Sequence, residues 1–174
     1  MSNQQIDVTV REAVPQDAQQ FADFLSIVGK ETPFLVGDGS VDMTTEELAR
    51  NLGDLYESPN NVLMVTLVDG RIVGTASVSA SGKRRMEHLG EIGISVLKDY
   101  WGFGLGSLLL EELIAWSREG GIIRRLELTV QHRNQRAIHL YEKMGFVTEA
   151  IMPRGAKTDE GEFLDVQLMS IMVD

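Results

Sequence analysis

Hydrophobic and polar positions follow two periods along this chain, and the switches between them predict its elements. Ile6 to Val10 alternates and carries β-branched residues, which predicts a first strand. Pro15 stands where a helix can open, and Ala18, Phe21, Leu25 and Val28 follow the three-four spacing of one apolar helical face. A loop is expected around Pro33 and Gly37 to Gly39. Thr44 and Glu47 make a capping-box pattern that starts a second helix, running to Tyr56 and ended by Pro59-Asn60-Asn61. Val62 to Val68 and Arg71 to Ala80 read as strands. The Asp69-Gly70 between them is a hairpin signal, because both turn positions need positive φ. After the polar, basic turn Ser81 to Arg85, Glu87 to Val96 reads as a further strand.

The second half returns to the helical period at Leu109, Leu113 and Trp116, a face that Gly120-Gly121 stops. Ile122 to Val130 predicts a strand. Asn134 can cap a helix with Ala137, Leu140, Tyr141 and Met144 on one side, ended by Gly145. Phe146 to Met152 and Phe163 to Val173 supply two closing strands around the turn at Asp159-Glu160-Gly161. The order is strand, two helices, three strands, helix, strand, helix, two strands, which describes a mixed α/β architecture. With no repeat, low-complexity stretch or linker, a single domain over residues 1–174 is expected.

Composition narrows the class. A chain of 174 residues can bury a real core, and no segment is apolar enough for a bilayer span, so no membrane partner is expected. Cysteine is absent, which excludes disulfides and thiolate metal sites. The N-terminal residues lack the layout of a secretion signal, and together these features predict the cytoplasm. The formal net charge of −10 argues against nucleic acid as a partner and favours a cationic one, such as an amine, besides keeping the chain in solution. His88, His132 and His139 share no ligand spacing with carboxylates, so no metal is expected. A homodimer is the default expectation for assembly.

The candidate chemistry begins after the strand Glu87 to Val96, at Trp101-Gly102-Phe103-Gly104-Leu105-Gly106-Ser107. Glycines at alternate positions let backbone N–H groups converge on an anion, and the helix that follows adds partial positive charge. A diphosphate is the natural guest, and a plain tight connection is the alternative. The dinucleotide fingerprint needs a sixth-place glycine where this chain has Ser107, and the Walker loop needs a lysine before that serine.

In these residues the sequence resembles the GNAT superfamily of acetyl-CoA-dependent N-acetyltransferases. The family's pyrophosphate motif, Arg/Gln-x-x-Gly-x-Gly/Ala, maps to Trp101 through Gly106, with Trp101 in place of Arg or Gln. Asn134 through Phe146 matches its late Asn-x-x-Ala…Tyr-Glu-Lys-x-Gly-Phe signature. Val10-Arg11-Glu12-Ala13 and Asp17-Ala18 look like its opening strand and helix start. The segment Gly161 to Asp165 is similar to the branch that acetylates protein N-termini or polyamines.

The resemblance implies a central, mostly antiparallel mixed sheet flanked by helices, and acetyl transfer from acetyl-CoA to a primary amine by direct attack. The acceptor is a protein N-terminus, a polyamine or another small amine, with a pocket shaped by Phe34 to Tyr56 and Pro153 to Glu162. It also implies roles. Backbone at Ser95 and Val96 pairs with the pantetheine arm, and the N–H groups from Gly102 through Phe103, Gly104, Leu105, Gly106 and Ser107 hold the pyrophosphate. Asn134 contacts the pantetheine, caps its helix, or does both. Tyr141 protonates the departing sulfur, or is a core tyrosine. Glu91 is the expected base, with Glu127 its competitor, because each alternates against apolar neighbours on its strand. The bland reading for both is a solvated or salt-bridged carboxylate. A module that binds acetyl-CoA without turnover is the second functional reading.

Overall fold

The computed structural model of the chain describes residues 6–31 and 43–174. Strand β1 (Val8–Glu12) leads through a short 3-10 turn at Pro15–Asp17 into α1 (Ala18–Glu31). Helix α2 (Thr45–Glu57) is followed by β2 (Val62–Val68), β3 (Arg71–Ala80) and β4 (Leu89–Val96). Then come α3 (Leu105–Gly120), β5 (Arg125–Gln131), α4 (Gln135–Lys143), β6 (Val147–Lys157) and β7 (Phe163–Met172). The seven strands form one sheet in the order β1-β2-β3-β4-β5-β7-β6. Every neighbouring pair is antiparallel except β4 and β5, which α3 joins as a crossover. Among the described residues, no helix is long and apolar enough to cross a membrane.

The local signals act as the sequence reading expects. Thr44 Oγ1 accepts from the Glu47 amide at 3.1 Å, while Glu47 Oε2 accepts from the Thr44 amide at 2.9 Å. Asp69 and Gly70 take φ values of 50° and 81°, the left-handed pair that lets β2 and β3 meet in a two-residue hairpin. The expected loop at Pro33 and Gly37 to Gly39 lies outside the described residues, as does the start of the Phe34 to Tyr56 segment.

Several strands differ from expectation in their ends: β4 opens at Leu89, not Glu87, and β5 at Arg125, not Ile122. The first begins at Val8, not Ile6, because its extent is set by pairing with β2 from Val8↔Val68 to Glu12↔Met64. The sixth passes through Pro153 instead of ending at Met152. A register shift between Met152 and Ala156 absorbs Pro153, Arg154 and Gly155, with Arg154 at φ 55°. A proline is tolerated there because β6 is an edge strand and the bulge asks no ladder bond of it.

The core lies on both faces of the sheet. On one face, Leu109, Leu110 and Leu113 of α3, with Ile138 and Tyr141 of α4, pack on Val78, Ile92, Leu126, Leu128 and Met169. On the other, Phe24 and Val28 of α1 and Leu48 and Leu52 of α2 pack on Leu63, Val65 and Val73. Each of these side chains contributes about 1.5–3 kcal/mol by leaving water. Polar braces fix the connections. Arg11 binds Asp17 through two N–H donors at 2.7 and 2.9 Å, tying β1 to the start of α1. Asn60, buried after α2, donates to the carbonyls of Ser81 and Glu87 at 3.0 and 3.1 Å. The expected helix stop at Pro59-Asn60-Asn61 therefore also holds the turn that leads into β4.

Candidate active site

The parallel ladder between β4 and β5 is short. It covers Leu89↔Arg125, Gly90↔Leu126 and Glu91↔Glu127, and beyond that pair the two strands are no longer hydrogen-bonded. Strand β4 stays paired with β3 as far as Gly74↔Val96, and the Leu97 amide donates to the Val73 carbonyl at 2.9 Å. That bond makes Gly74↔Val96 a pair whose own amides point away from each other. By the same alternation, the backbone groups of Ile92, Ile94 and Val96 face the gap, while those of Ser95 face β3. Of the two residues expected at the pantetheine arm, Val96 turns its N–H and C=O toward the gap. Ile94, which the sequence reading did not single out, does so as well.

Just past the end of β4, the chain makes a 3-10 turn at Lys98–Tyr100 and enters the glycine loop. Gly102 and Gly104 adopt φ values of 82° and 79°, a conformation that side-chain-bearing residues rarely hold. Gly104 is the N-cap of α3, and no side chain caps this end. The Leu108 amide opens the helix by donating to the Gly104 carbonyl at 3.1 Å, which leaves the N–H groups of Leu105, Gly106 and Ser107 projecting from the first turn. Gly106 serves a different purpose: it lets α4 come close, since a Cβ there would stand 3.0 Å from Leu140 Cδ2 and that side chain would have to give. Phe103 is exposed at the tip of the loop. Trp101 is turned back, its Nε1 donating to the Val96 carbonyl at 2.8 Å. Left-handed glycines, an uncapped helix start and the adjacent gap together fit the diphosphate and arm of a coenzyme A thioester.

Helix α4 brings in the late motif. Asn134 Oδ1 accepts from the Ala137 amide at 3.3 Å, so the capping role of Asn134 is present. Tyr141 is only 7% exposed and packs on Phe146, with ring centroids 5.9 Å apart. Burial pushes its phenol up to about 12, so it keeps its proton at neutral pH. Tyr141 is therefore part of the core, and its phenol retains its proton there.

The two strand carboxylates, adjacent in register, differ sharply. Glu127 accepts from Arg125 Nε at 3.0 Å, and the same guanidinium grips Glu149 through NH1 at 2.8 Å and through NH2. The Arg125 hydrogen bonds hold the Glu149 carboxyl down at about 2 and raise the guanidinium in turn. Glu127 is therefore the salt-bridged strand carboxylate that the sequence reading allowed for. Glu91 is exposed and makes no ion pair among the described residues. It shares its face with Gly93 and Ser95, and Ser77 lies over Gly93, whose Cβ position is 3.0 Å from Ser77 Oγ. Among the described residues, no three metal-ligating side chains converge.

A model of the acetyltransferase (GNAT) family matches residues 26–146. The chain belongs to that family. This acetyltransferase is 30% identical over 116 residues to the L-amino acid N-acetyltransferase AaaT of Escherichia coli K12, covering 67% of this chain and 71% of that protein. Its fold superposes on a GNAT acetyltransferase from Streptococcus pneumoniae with TM-score 0.94 and 43% identity, covering 96% of this chain and 100% of that one. The yncA structure from Salmonella typhimurium, solved with acetyl-CoA, shares the fold at TM-score 0.83 and 22% identity, over 97% and 95% of the two chains. The protein is an acyl-CoA-dependent N-acetyltransferase.

Two features escaped the sequence reading. One is the Arg125 cluster, which joins residues distant in sequence. The other is Arg136, whose guanidinium carbon lies 4.8 Å from the centroid of the Trp101 ring. Its four-residue spacing from Leu140 on α4 was the available signal.

Proposed function

We propose that this acetyltransferase moves the acetyl group of acetyl-CoA onto the amine of a small acceptor of the amino-acid class, by direct attack. The observation that carries the reading is Glu91: an exposed carboxylate without an ion pair among the described residues, at the last paired position before β4 and β5 part. The similarity to an L-amino acid N-acetyltransferase supports the acceptor class. Acetyl-CoA supplies an activated thioester carbonyl. The acceptor arrives as an ammonium, which a chain of net charge −10 attracts. Glu91 takes one proton, and the neutral nitrogen forms the new C–N bond as the C–S bond breaks. Tyr141 gives its proton to the sulfur, and the surplus proton on nitrogen returns to the tyrosine through solvent. Val96 through its N–H and Ile94 through both backbone groups hold the arm, Gly102 to Ser107 hold the pyrophosphate, and Asn134 lies beside the arm's approach.

A panel of free amino acids, polyamines and N-terminal peptides, assayed by thiol release from acetyl-CoA, tests this. Turnover with amino acids and at most weak turnover with the other amines is expected. Turnover with polyamines or peptides alone would overturn the acceptor class. Tight acetyl-CoA binding without turnover on any amine would favour a binding module.

A further inference from the structure

The loop from Trp101 to Ser107 contains no lysine or arginine, although it is the segment built to receive a dianion. Its first residue adds neither charge nor donor, because an indole is neutral and the Trp101 N–H is committed to the Val96 carbonyl at 2.8 Å. Backbone N–H groups alone would then have to offset a diphosphate in a protein of net charge −10. A cation does reach the loop, but from α4. Arg136 is exposed, and its guanidinium lies over the Trp101 ring at 4.8 Å. It makes no ion pair among the described residues.

The placement follows from helix geometry. Arg136 and Leu140 are one turn apart on the same face of α4. Leu140 meets the first turn of α3 at Gly106, where a Cβ would be 3.0 Å from its Cδ2. One turn earlier, that same face sets Arg136 beside the start of the loop. The close approach at Gly106 and the guanidinium over Trp101 thus lie on one face of α4, which sets Arg136 at the first residue of the loop. Stacking on an indole leaves the planar edge of a guanidinium free, so its donors can still take a phosphate oxygen pair.

We infer that Arg136 is a binding residue for the CoA pyrophosphate, with Trp101 the platform that orients it. This rests on the acetyl-CoA reading of the loop. The test is calorimetric affinity for CoA and for dephospho-CoA, which share the pyrophosphate and differ in the 3′-phosphate. Arg136→Ala is expected to weaken both by the same factor, roughly 10- to 30-fold, and the factor shrinks as salt is raised. Trp101→Ala is expected to lose roughly 3- to 10-fold by freeing the guanidinium. Arg136→Lys keeps the charge without the planar fork and should fall between wild type and Arg136→Ala; it carries the test if the alanine variant is unstable. Arg118→Ala, which removes a cation from the far end of α3, should change neither affinity.

A loss confined to CoA would move the contact to the 3′-phosphate and overturn the assignment. So would an Arg136→Ala effect below about twofold, or one matched by Arg118→Ala. Failure of the wild-type protein to bind either ligand would strike the acetyl-CoA reading itself, a result distinct from an inert Arg136.

Discussion

The two faces of the sheet around the β4–β5 gap are built on opposite plans. Toward α3 and α4 the side chains are Ile92, Ile94, Val96, Leu126, Leu128 and Val130, a packed apolar layer in which Tyr141 is dry and protonated. Toward the other face the same two strands present Glu91, Gly93 and Ser95 beside Glu127 and Thr129, a polar floor. The first face makes positions rigid: α3 and α4 sit where they must, and the glycine loop is held between them. The second face keeps charged groups within reach of solvent. The comparison teaches that one pair of strands can be dry and packed on one side and carry carboxylates on the other, and under the proposed function the two sides serve cofactor and amine separately.

Perturbing the polar face at Glu91 should have the largest effect. Glu91→Gln is expected to lower kcat about 100- to 1,000-fold while the acetyl-CoA Kd stays within about twofold, read by thiol release and calorimetry. On the apolar face, Tyr141→Phe removes only a hydroxyl, and a loss in kcat of about 10- to 100-fold is expected with the Tm almost unchanged. The pH profile sharpens this. Since burial raises the phenol to about 12, Tyr141 stays protonated from pH 6 to 10, and a fall in rate within that window must come from another group. Should the fall persist unaltered in Tyr141→Phe, that inference holds.

A smaller effect is expected where the apolar face supports the loop. Gly106→Val would drive side-chain atoms into Leu140, which already stands 3.0 Å from a Cβ, and cost about 1–3 kcal/mol of stability by overpacking. Chemical denaturation would measure it, and CoA affinity should fall with it. The least consequential change should be Glu127→Gln. It removes a carboxylate already engaged by Arg125, which keeps Glu149, so kcat is expected to stay within about fivefold. A loss comparable to that of Glu91→Gln would erase the distinction drawn between the two carboxylates.

Much of the helical framework on both faces could be read from the chain. Leu109 and Leu113 announce α3 by their period, Thr44 and Glu47 announce α2, and the spacing of Gly102, Gly104 and Gly106 announces the anion loop. These signals are local, depending on neighbours within a turn or two. The polar face depends on distant partners. Glu127 has one local distinction from Glu91, Arg125 two residues earlier on the same strand face, but the reach of that guanidinium to Glu149 on β6 depends on distant pairing. The orientation of the Ile94 and Ser95 backbones depends on register with β3. The passage of β6 through Pro153 became possible only because that strand has no neighbour on its outer side. Arg136 lay inside a recognised motif, yet its stacking needs Trp101 from the loop before α3, distant in sequence.

The shortness of the β4–β5 ladder has a mechanical side. Three residue pairs join a panel of four strands, β1 to β4, to a panel of three, β5, β7 and β6. Each panel has its own full ladders, so a small rotation about the seam changes the width of the gap without breaking a bond within either. At the foot of the seam the strands come close: a Cβ on Gly90 of β4 would stand 3.2 Å from Leu126 Cδ2 of β5, and above it side chains of α3 share one core cluster with both panels. The width of the gap is therefore set by side-chain packing around the seam and not by a continuous ladder between the panels.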